Sequence, residues 1–395
     1  MLALCGLTLL PTPATAIESP QLTGSLRSLN LASRPAPAGG LPESRLSSNS
    51  LRLTADGTAW SGWQVEAAIE HRLLWTDPGR LLPQPEQQIN RRADLDHDWR
   101  HADHWTSQLQ IDRLSLRKRF AKLDLTIGRQ AFGFGRILLF SPLDLVLPFA
   151  PEALDKETRN GIDAVRTTAH YSLDGQLGGL LIWGDRVRHN SLLATWSDNR
   201  GGVDLLAVAG RLRSRPVVGF GLAGSLGSLG LKGEVALYQG QRTSRPDGDL
   251  HDRFAIGAME GWYRFASGIT LVAQYLYNGP GVGTPADHPR AALSAPLREG
   301  LTFLLGRHYL LLAPSYEPHP LATLQGLLIW NLEDDSALFR PSMILNLHDN
   351  LDLELFWTGV VGGKPRPSAP GFPSTPTSEF GLRGANAGLW IRYFF

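Results

Sequence analysis

The sequence predicts an all-β fold, a transmembrane antiparallel β-barrel of about eighteen strands with sixteen as the alternative count, and three observations carry that prediction. Segments of about ten residues alternate apolar and polar side chains with period two, the mark of a strand whose two faces meet different surroundings. Short turns alternate along the chain with long connections rich in Pro, Gly or charge, the rhythm of a barrel with tight turns at one membrane face and long loops at the other. No run approaches the roughly 18 uninterrupted apolar residues that a spanning helix requires.

Composition agrees. The 42 Gly, 27 Pro and 11 Trp in 395 residues suit one large, loop-rich β domain over 17–395. Lys+Arg (38) and Asp+Glu (37) nearly cancel, and a net charge of +1 gives no reason to expect a nucleic-acid surface.

The elements follow in chain order. Residues 1–16, MLALCGLTLLPTPATA, read as the end of a secretory signal with an A-x-A-type cleavage site after Ala16; the missing basic leader points to a start further upstream. A buried apolar arm is the alternative. Cys5 lies inside this segment, so the chain after it holds no cysteine for disulfides or a thiolate metal site. Strands are expected at 22–32, 48–56 and 60–75, the last holding QVEAAIEHRL with Gln64, Glu66, Glu70 and Arg72 on one side and Val65, Ala67 and Ile69 on the other. After a long charged loop at 77–104 come strands at 105–118 and 121–131. The parity of the first slips near Asp112, as at a bulge. Beyond loop 132–161 the strands are 162–172, 176–186, 190–198, 202–213, 216–226 and 229–239, then loop 240–252 and strands 253–265 and 268–278. Loop 279–301 precedes strands at 302–313, 320–332, 336–347 and 350–362; loop 362–378 leads to the last strand, 379–395. The last strand should pair with the first to close the barrel, which satisfies every backbone N–H and C=O in lipid as an open sheet cannot.

The chain ends AGLWIRYFF. Leu389, Ile391, Tyr393 and Phe395 share one face, and a terminal Phe after alternating apolar residues resembles the signal by which the barrel-assembly machinery recognises bacterial outer-membrane proteins. A second resemblance rests on TIGRQAFGFG (126–135), FSPLDLVLPFAPEALDKETRNGIDAVR (140–166), YLYNGPG (275–281), LLGRHYLLLAP (304–314) and SEFG (378–381). These pieces resemble the barrel families near the alginate-export porins. The resemblance implies an outer-membrane channel in contact with lipid and carries over no substrate.

Sixteen to eighteen strands enclose an aqueous channel, so inward positions should be polar. Strand parity assigns Arg52, Glu66, Glu70, Arg72, Arg113, Arg117, Asp124, Arg166, His170, Lys232, Glu234, Asp352, Glu354 and Arg392 to the lumen. Opposed acidic and basic ladders there would impose a transverse field that selects solutes by charge; cross-strand ion pairing is the plainer role for each residue. Loop 132–161 is too apolar at its centre, ILLFSPLDLVLPFAP, for a free external loop. Folded inward it would narrow the bore, with Arg136, Asp144, Glu152, Asp155, Lys156, Glu157 and Arg159 as its polar lining.

Other chemistry is thin. Gly133 and Gly135 lack the strand-to-helix context of a nucleotide fingerprint. HDWRHADH at 97–104 offers His97, His101 and His104 to a metal, but reads better as a solvated loop. A hydrolase could pair His71 or His170 with a serine on the wall, though no G-x-S-x-G occurs. The expectation is a cofactor-free, non-enzymatic channel for hydrophilic solutes or an anionic polymer. The alternatives are a sleeve around a periplasmic or electron-transfer partner and a barrel hydrolase.

Overall fold

The computed structural model describes residues 18–35, 43–77, 89–102, 104–245, 247–366 and 374–395. The expected signal segment 1–16, and parts of loops 77–104 and 362–378, lie outside them. Among the described residues nineteen strands form one antiparallel sheet. They are β1 (Glu18–Ser33), β2 (Ser44–Thr58), β3 (Gln64–Thr76), β4 (Asp96–Ala102), β5 (Trp105–Arg119), β6 (Leu123–Gln130), β7 (Ile162–His170), β8 (Gln176–Ile182), β9 (Ser191–Arg200) and β10 (Val203–Leu212). There follow β11 (Arg215–Leu226), β12 (Leu229–Gln239), β13 (Arg253–Arg264), β14 (Thr270–Asn278), β15 (His308–His319), β16 (Ala322–Asn331), β17 (Ala337–His348), β18 (Leu351–Val361) and β19 (Asn386–Phe394).

The sheet closes on itself: β1 pairs with β19 from Ser25–Phe394 to Ser33–Asn386. One edge of β5 carries β3; the other is shared, β4 taking residues 105–110 and β6 residues 114–119. The wall therefore counts eighteen strands, with β4 as an accessory in a segment expected to be loop. The register of β3 against β5 shifts between Ala68 and Ile69, where Asp112 is the extra residue, so the parity slip is a bulge. Two expected strand starts move. The strand set at 302–313 is His308–His319, because Leu301 and Leu304 instead pack into the interior apolar cluster. The last strand begins at Asn386, after a single helical turn at Phe380–Leu382.

Turns 59–63, 120–122, 171–175, 201–202, 227–228, 265–269, 320–321 and 349–350 all lie at the barrel end that carries both Glu18 and Phe394. The connections that follow β3, β6, β12, β14 and β18 all leave and rejoin the sheet at the other. Alternate residues face out and form a continuous apolar band that includes Leu51, Ile69, Ile127, Leu192, Leu237 and Leu389. Aromatic residues rim the band: Phe120, Phe265 and Tyr393 at the short-turn end, Trp105, Tyr277, Trp330 and Trp357 at the long-loop end. This is the surface of a transmembrane barrel. At the seam, Phe395 exchanges backbone hydrogen bonds with Gly24 at 2.6 and 3.0 Å, and its ring occupies the space a Cβ on Gly24 would need.

Candidate functional site

The inner face is divided. On β1–β3, β5–β7, β18 and β19 the inward positions carry many charges, with Ile162, Ala164, Phe356 and Trp390 as buried apolar exceptions. On β8–β17 most are apolar: Leu180, Ile182, Leu193, Val208, Val217, Ile256, Leu276, Leu311 and Ile329 are buried in one cluster.

The charged half is laced by cross-strand pairs. Arg52 (β2) reaches Asp112 at 2.7 Å and Glu70 at 3.7 Å; Arg72 holds Glu70 at 3.0 Å, and Gln110 donates to the same carboxylate at 3.0 Å. Arg113 pairs with Asp112 and, at 3.5 Å, with Glu66. Lower on the wall Asp124 collects Arg119 at 2.9 Å, Arg117 at 3.3 Å and His170 at 3.6 Å. Arg166 stacks over the Phe132 ring at 5.4 Å. Three of these pairs, Arg72–Glu70, Arg117–Asp124 and Arg119–Asp124, share a polarity. The Asp112, Glu70 and Asp124 side chains are 0, 9 and 11% exposed, whereas Arg72, Arg117 and Arg119 are 37, 39 and 73% exposed. In those three the carboxylate roots a guanidinium group that faces the water; Arg113 is itself buried and Arg52 largely so, and Glu66 stands forward of Arg113.

A few strands round the same wall, at the β1–β19 seam, the order reverses. Asp155 and Glu157, on loop 131–161, pair with Arg27 of β1 and, at 2.8 Å, with Arg392 of β19. Here the arginines are buried, 13 and 7% exposed, and the carboxylates are forward, at 36 and 50%. Arg392 also lies 3.8 Å from Asp352, and Glu354 is buried on the neighbouring strand position.

Loop 131–161 meets inner-face side chains around much of the barrel. Glu234 of β12 accepts the backbone N–H groups of Arg136 (2.7 Å), Ile137 (3.1 Å) and Leu143 (3.1 Å) together with the Ser141 hydroxyl. Glu260 of β13 accepts Leu138 (2.8 Å) and Leu139 (3.3 Å), and Gln274 of β14 clips Phe140 at both its N–H (3.0 Å) and C=O (2.7 Å). Between these anchors Leu143 fills the space left by the missing side chains of Gly219 and Gly221 on β11. Leu139, Phe140, Leu145 and Val146 join the apolar cluster of the wall. Each such side chain buried is worth about 1.5–3 kcal/mol.

The rest of the loop is held by charge. Glu152 accepts Arg383 at 2.7 and 2.8 Å, and its carbonyl accepts Arg340. Arg159 pairs with Asp144, donates to the Leu147 carbonyl at 2.6 Å, and offers its own carbonyl to Arg113. The Arg136 guanidinium lies 3.8 Å from Asp204. Burial pushes the Asp144 carboxyl up to about 6, against the opposing pull of Arg159 and with help from Glu234. Burial likewise pushes Lys156 down to about 8, with Arg340 adding to the shift; its ammonium donates to the Leu139 carbonyl at 3.4 Å.

All fourteen wall residues expected in the lumen stand on the face opposite the apolar band, but they form two groups. Glu234 corrects its assignment to the open lumen: it is covered by the loop it holds. Lys232 serves Glu260 at 3.0 Å beside it. The lumen assignment left out Arg27, Asp112, Glu260 and Gln274. It also missed the buried staples that fix the loops over the mouth. Arg215 binds Asp249 at 2.7 Å and also Glu299, and Glu379 accepts Asn331 at 3.0 Å, Leu305 at 3.0 Å and the Tyr309 hydroxyl. Their sequence signal was weak, since each pair is separated by tens of residues. His71 does meet a serine, Ser107, at 2.7 Å on the outward face. Ser107 is buried, and the second ring nitrogen of His71 has no orienting partner among the described residues, so the pair lacks the construction of a nucleophile and base.

Among solved structures the barrel is similar to Acinetobacter baumannii OccAB4, with a TM-score of 0.58 and 8% identity over 97% of this chain and 100% of that one. It is similar to Pseudomonas aeruginosa OccK2 (OpdF) in complex with glucuronate, with a TM-score of 0.55 and 10% identity over 96% of this chain and 98% of that one. It is also similar to a BenF-like porin from Pseudomonas fluorescens Pf-5, with a TM-score of 0.56 and 12% identity over 96% of this chain and 99% of that one. At such identities the likeness concerns the fold, a porin-type outer-membrane barrel. No protein-family model matches the chain, and no curated protein matches it in sequence.

Proposed function

We propose that the chain is an outer-membrane channel for the passive passage of small hydrophilic solutes, with a preference for anions, through a lumen narrowed by loop 131–161. The observation that carries the reading is the reversal of polarity between β3–β5 and the β1–β19 seam. Forward guanidinium groups (Arg72, Arg117, Arg119) stand on β3 and β5, and forward carboxylates (Asp155, Glu157) stand on the loop where it meets the nearby β1–β19 seam. A solute crossing between them meets a transverse field, and a small carboxylate would be handed along the arginine side while water and cationic groups orient to the other. The glucuronate bound in the OccK2 structure supports a sugar acid or similar carboxylate as the solute class. A sleeve around a protein partner would need an open bore, and the loop, in contact with β12–β14 on one side and with β1 and β19 on the other, obstructs it.

Purified protein in planar bilayers should give discrete conductance steps and a reversal potential favouring chloride over potassium. Added glucuronate should reduce chloride current by competing for the arginine side. Replacing Arg72 and Arg117 with Gln should lower anion preference and weaken the block at least several-fold. Cation selectivity in the parent, or block insensitive to both substitutions, would sink the anionic preference.

A further inference from the structure

The aromatic rim at the long-loop end of the outer surface is broken across β10–β13, and cations stand in the gap. Arg211 faces outward on β10 and pairs in register with Pro216 of β11. One step beyond the Val217–Tyr238 pair, Pro216 stands level with Gln239 of β12, which pairs with Arg253 of β13. Arg211, Gln239 and Arg253 thus occupy one row, all exposed. Spacing of about 4.8 Å per strand sets the two arginines roughly 14 Å apart. Neither guanidinium has a hydrogen bond or ion pair with any described residue. Below this row the outward residues are apolar or small: Ala209, Val218, Leu237 and Ala255.

Each arginine stands over a groove in the outer wall. Under Arg211 the groove is formed by Gly179, Leu192, Ala194 and Ala209. Down the strand from Arg253 a second groove is floored by Gly233 and Gly257 and flanked by Leu222, Met259 and Tyr275. A guanidinium at the edge of hydrocarbon is costly without an anion, and the anions at that depth are lipid headgroups. The outward positions of β9–β13 at this end hold no carboxylate, so a second copy docking on this face would set arginine against arginine.

We propose that the outer face of β9–β14 is a binding site for a phosphorylated, multiply acylated lipid of the outer leaflet. One phosphate lies at Arg211 and one at Arg253, with acyl chains in the two glycine-floored grooves. The inference rests on the channel reading only in taking the long-loop end as extracellular.

Purified protein in dodecyl maltoside, titrated with bis-phosphorylated lipid A and followed by native mass spectrometry, tests the site. One lipid should bind saturably, at least ten-fold more tightly than dephosphorylated lipid A or phosphatidylcholine. The double substitution Arg211→Gln, Arg253→Gln should erase that preference. Gly257→Trp, which fills one groove and leaves both charges, should weaken binding while heat-modifiable migration on gels reports an intact barrel. Equal binding of the dephosphorylated lipid, or undiminished binding by the double variant, would overturn the proposal. So would dimers or trimers whose formation depends on these arginines. Conductance measured on the same samples separates the two readings, since a non-conducting parent that still binds the lipid would reject the channel alone. Labelling of loop 240–252 on intact cells checks the orientation, and an inaccessible loop would place the row in the wrong leaflet and overturn the site.

Discussion

Two halves of one wall share a register and an alternation yet bury opposite chemistry. Inward from β2–β7 project Arg52, Glu70, Arg113, Asp124 and Arg166; inward from β8–β11 project Leu180, Ile182, Leu193, Val208 and Val217. Water can fill only the first. The second would lie wet and exposed if nothing covered it, and what covers it is loop 131–161, whose apolar side chains face the same direction as its need. The difference shows how a barrel can be both a channel and a folded core. One half follows the rules of a lumen, the other those of an interior packed like any globular protein.

Removing the cover should break the comparison most visibly. With residues 138–158 replaced by a short Gly-Ser linker, β6 and β7 keep their pairing and the barrel should still assemble. Its conductance should rise several-fold and its charge selectivity fall, because Asp155 and Glu157 leave with the loop. Planar-bilayer recording gives the answer. A deletion that conducts like the parent would make the loop a rim cover and void the assignment of a constriction.

The division was half legible. Period-two alternation placed nearly every strand, and even the Asp112 bulge showed as a slip in parity, because each depends on neighbours in sequence. The long ranges were not legible. TFLL at 302–305 reads as the start of a strand by its hydrophobicity, but that hydrophobicity serves a loop packed inside. HDWRHA reads as solvated loop, yet its backbone completes the edge of β5 that the short β6 leaves bare. Glu234 and Glu66 look alike in sequence; only the chain from 136 to 143, about a hundred residues away from Glu234, turns one into an anchor. Arg27 escaped notice because its partners, Asp155 and Glu157, are distant in the chain.

A smaller change sharpens the same contrast. Glu234 is the principal clamp between the loop and the apolar half, holding three backbone N–H groups and a hydroxyl. Hydrogen bonds to a charged acceptor contribute about 1.5–3 kcal/mol each and are not additive, so Glu234→Ala should loosen the seat by on the order of 3 kcal/mol. Hydrogen exchange of amides 136–143 should then accelerate roughly a hundred-fold, with strand amides of β12 unchanged. Glu234→Gln, which keeps one acceptor oxygen, should fall between. Protection equal to the parent in the alanine variant would show that packing of Leu143 and Phe140 alone seats the loop.

The smallest expected effect concerns protons at the boundary between the halves. Asp144 sits where the loop passes from its apolar seat to its charged tip, facing Arg159 on its own loop and Glu234 on β12. Its seated value of about 6 lies above the ordinary 3.8, so the seated loop binds the proton more tightly than a released one. The seated state is therefore favoured progressively as pH falls through about 6 toward the ordinary carboxyl range, and it bears the full cost of a buried charge above that window. Single-channel traces should flicker less as pH is lowered from 7 to 5, by a few-fold at most and with a midpoint near 6. Asp144→Asn should hold the quiet, low-pH behaviour throughout, since the amide mimics the protonated carboxyl. A midpoint near 6 that survives in this variant would assign the transition to another group and detach loop seating from Asp144.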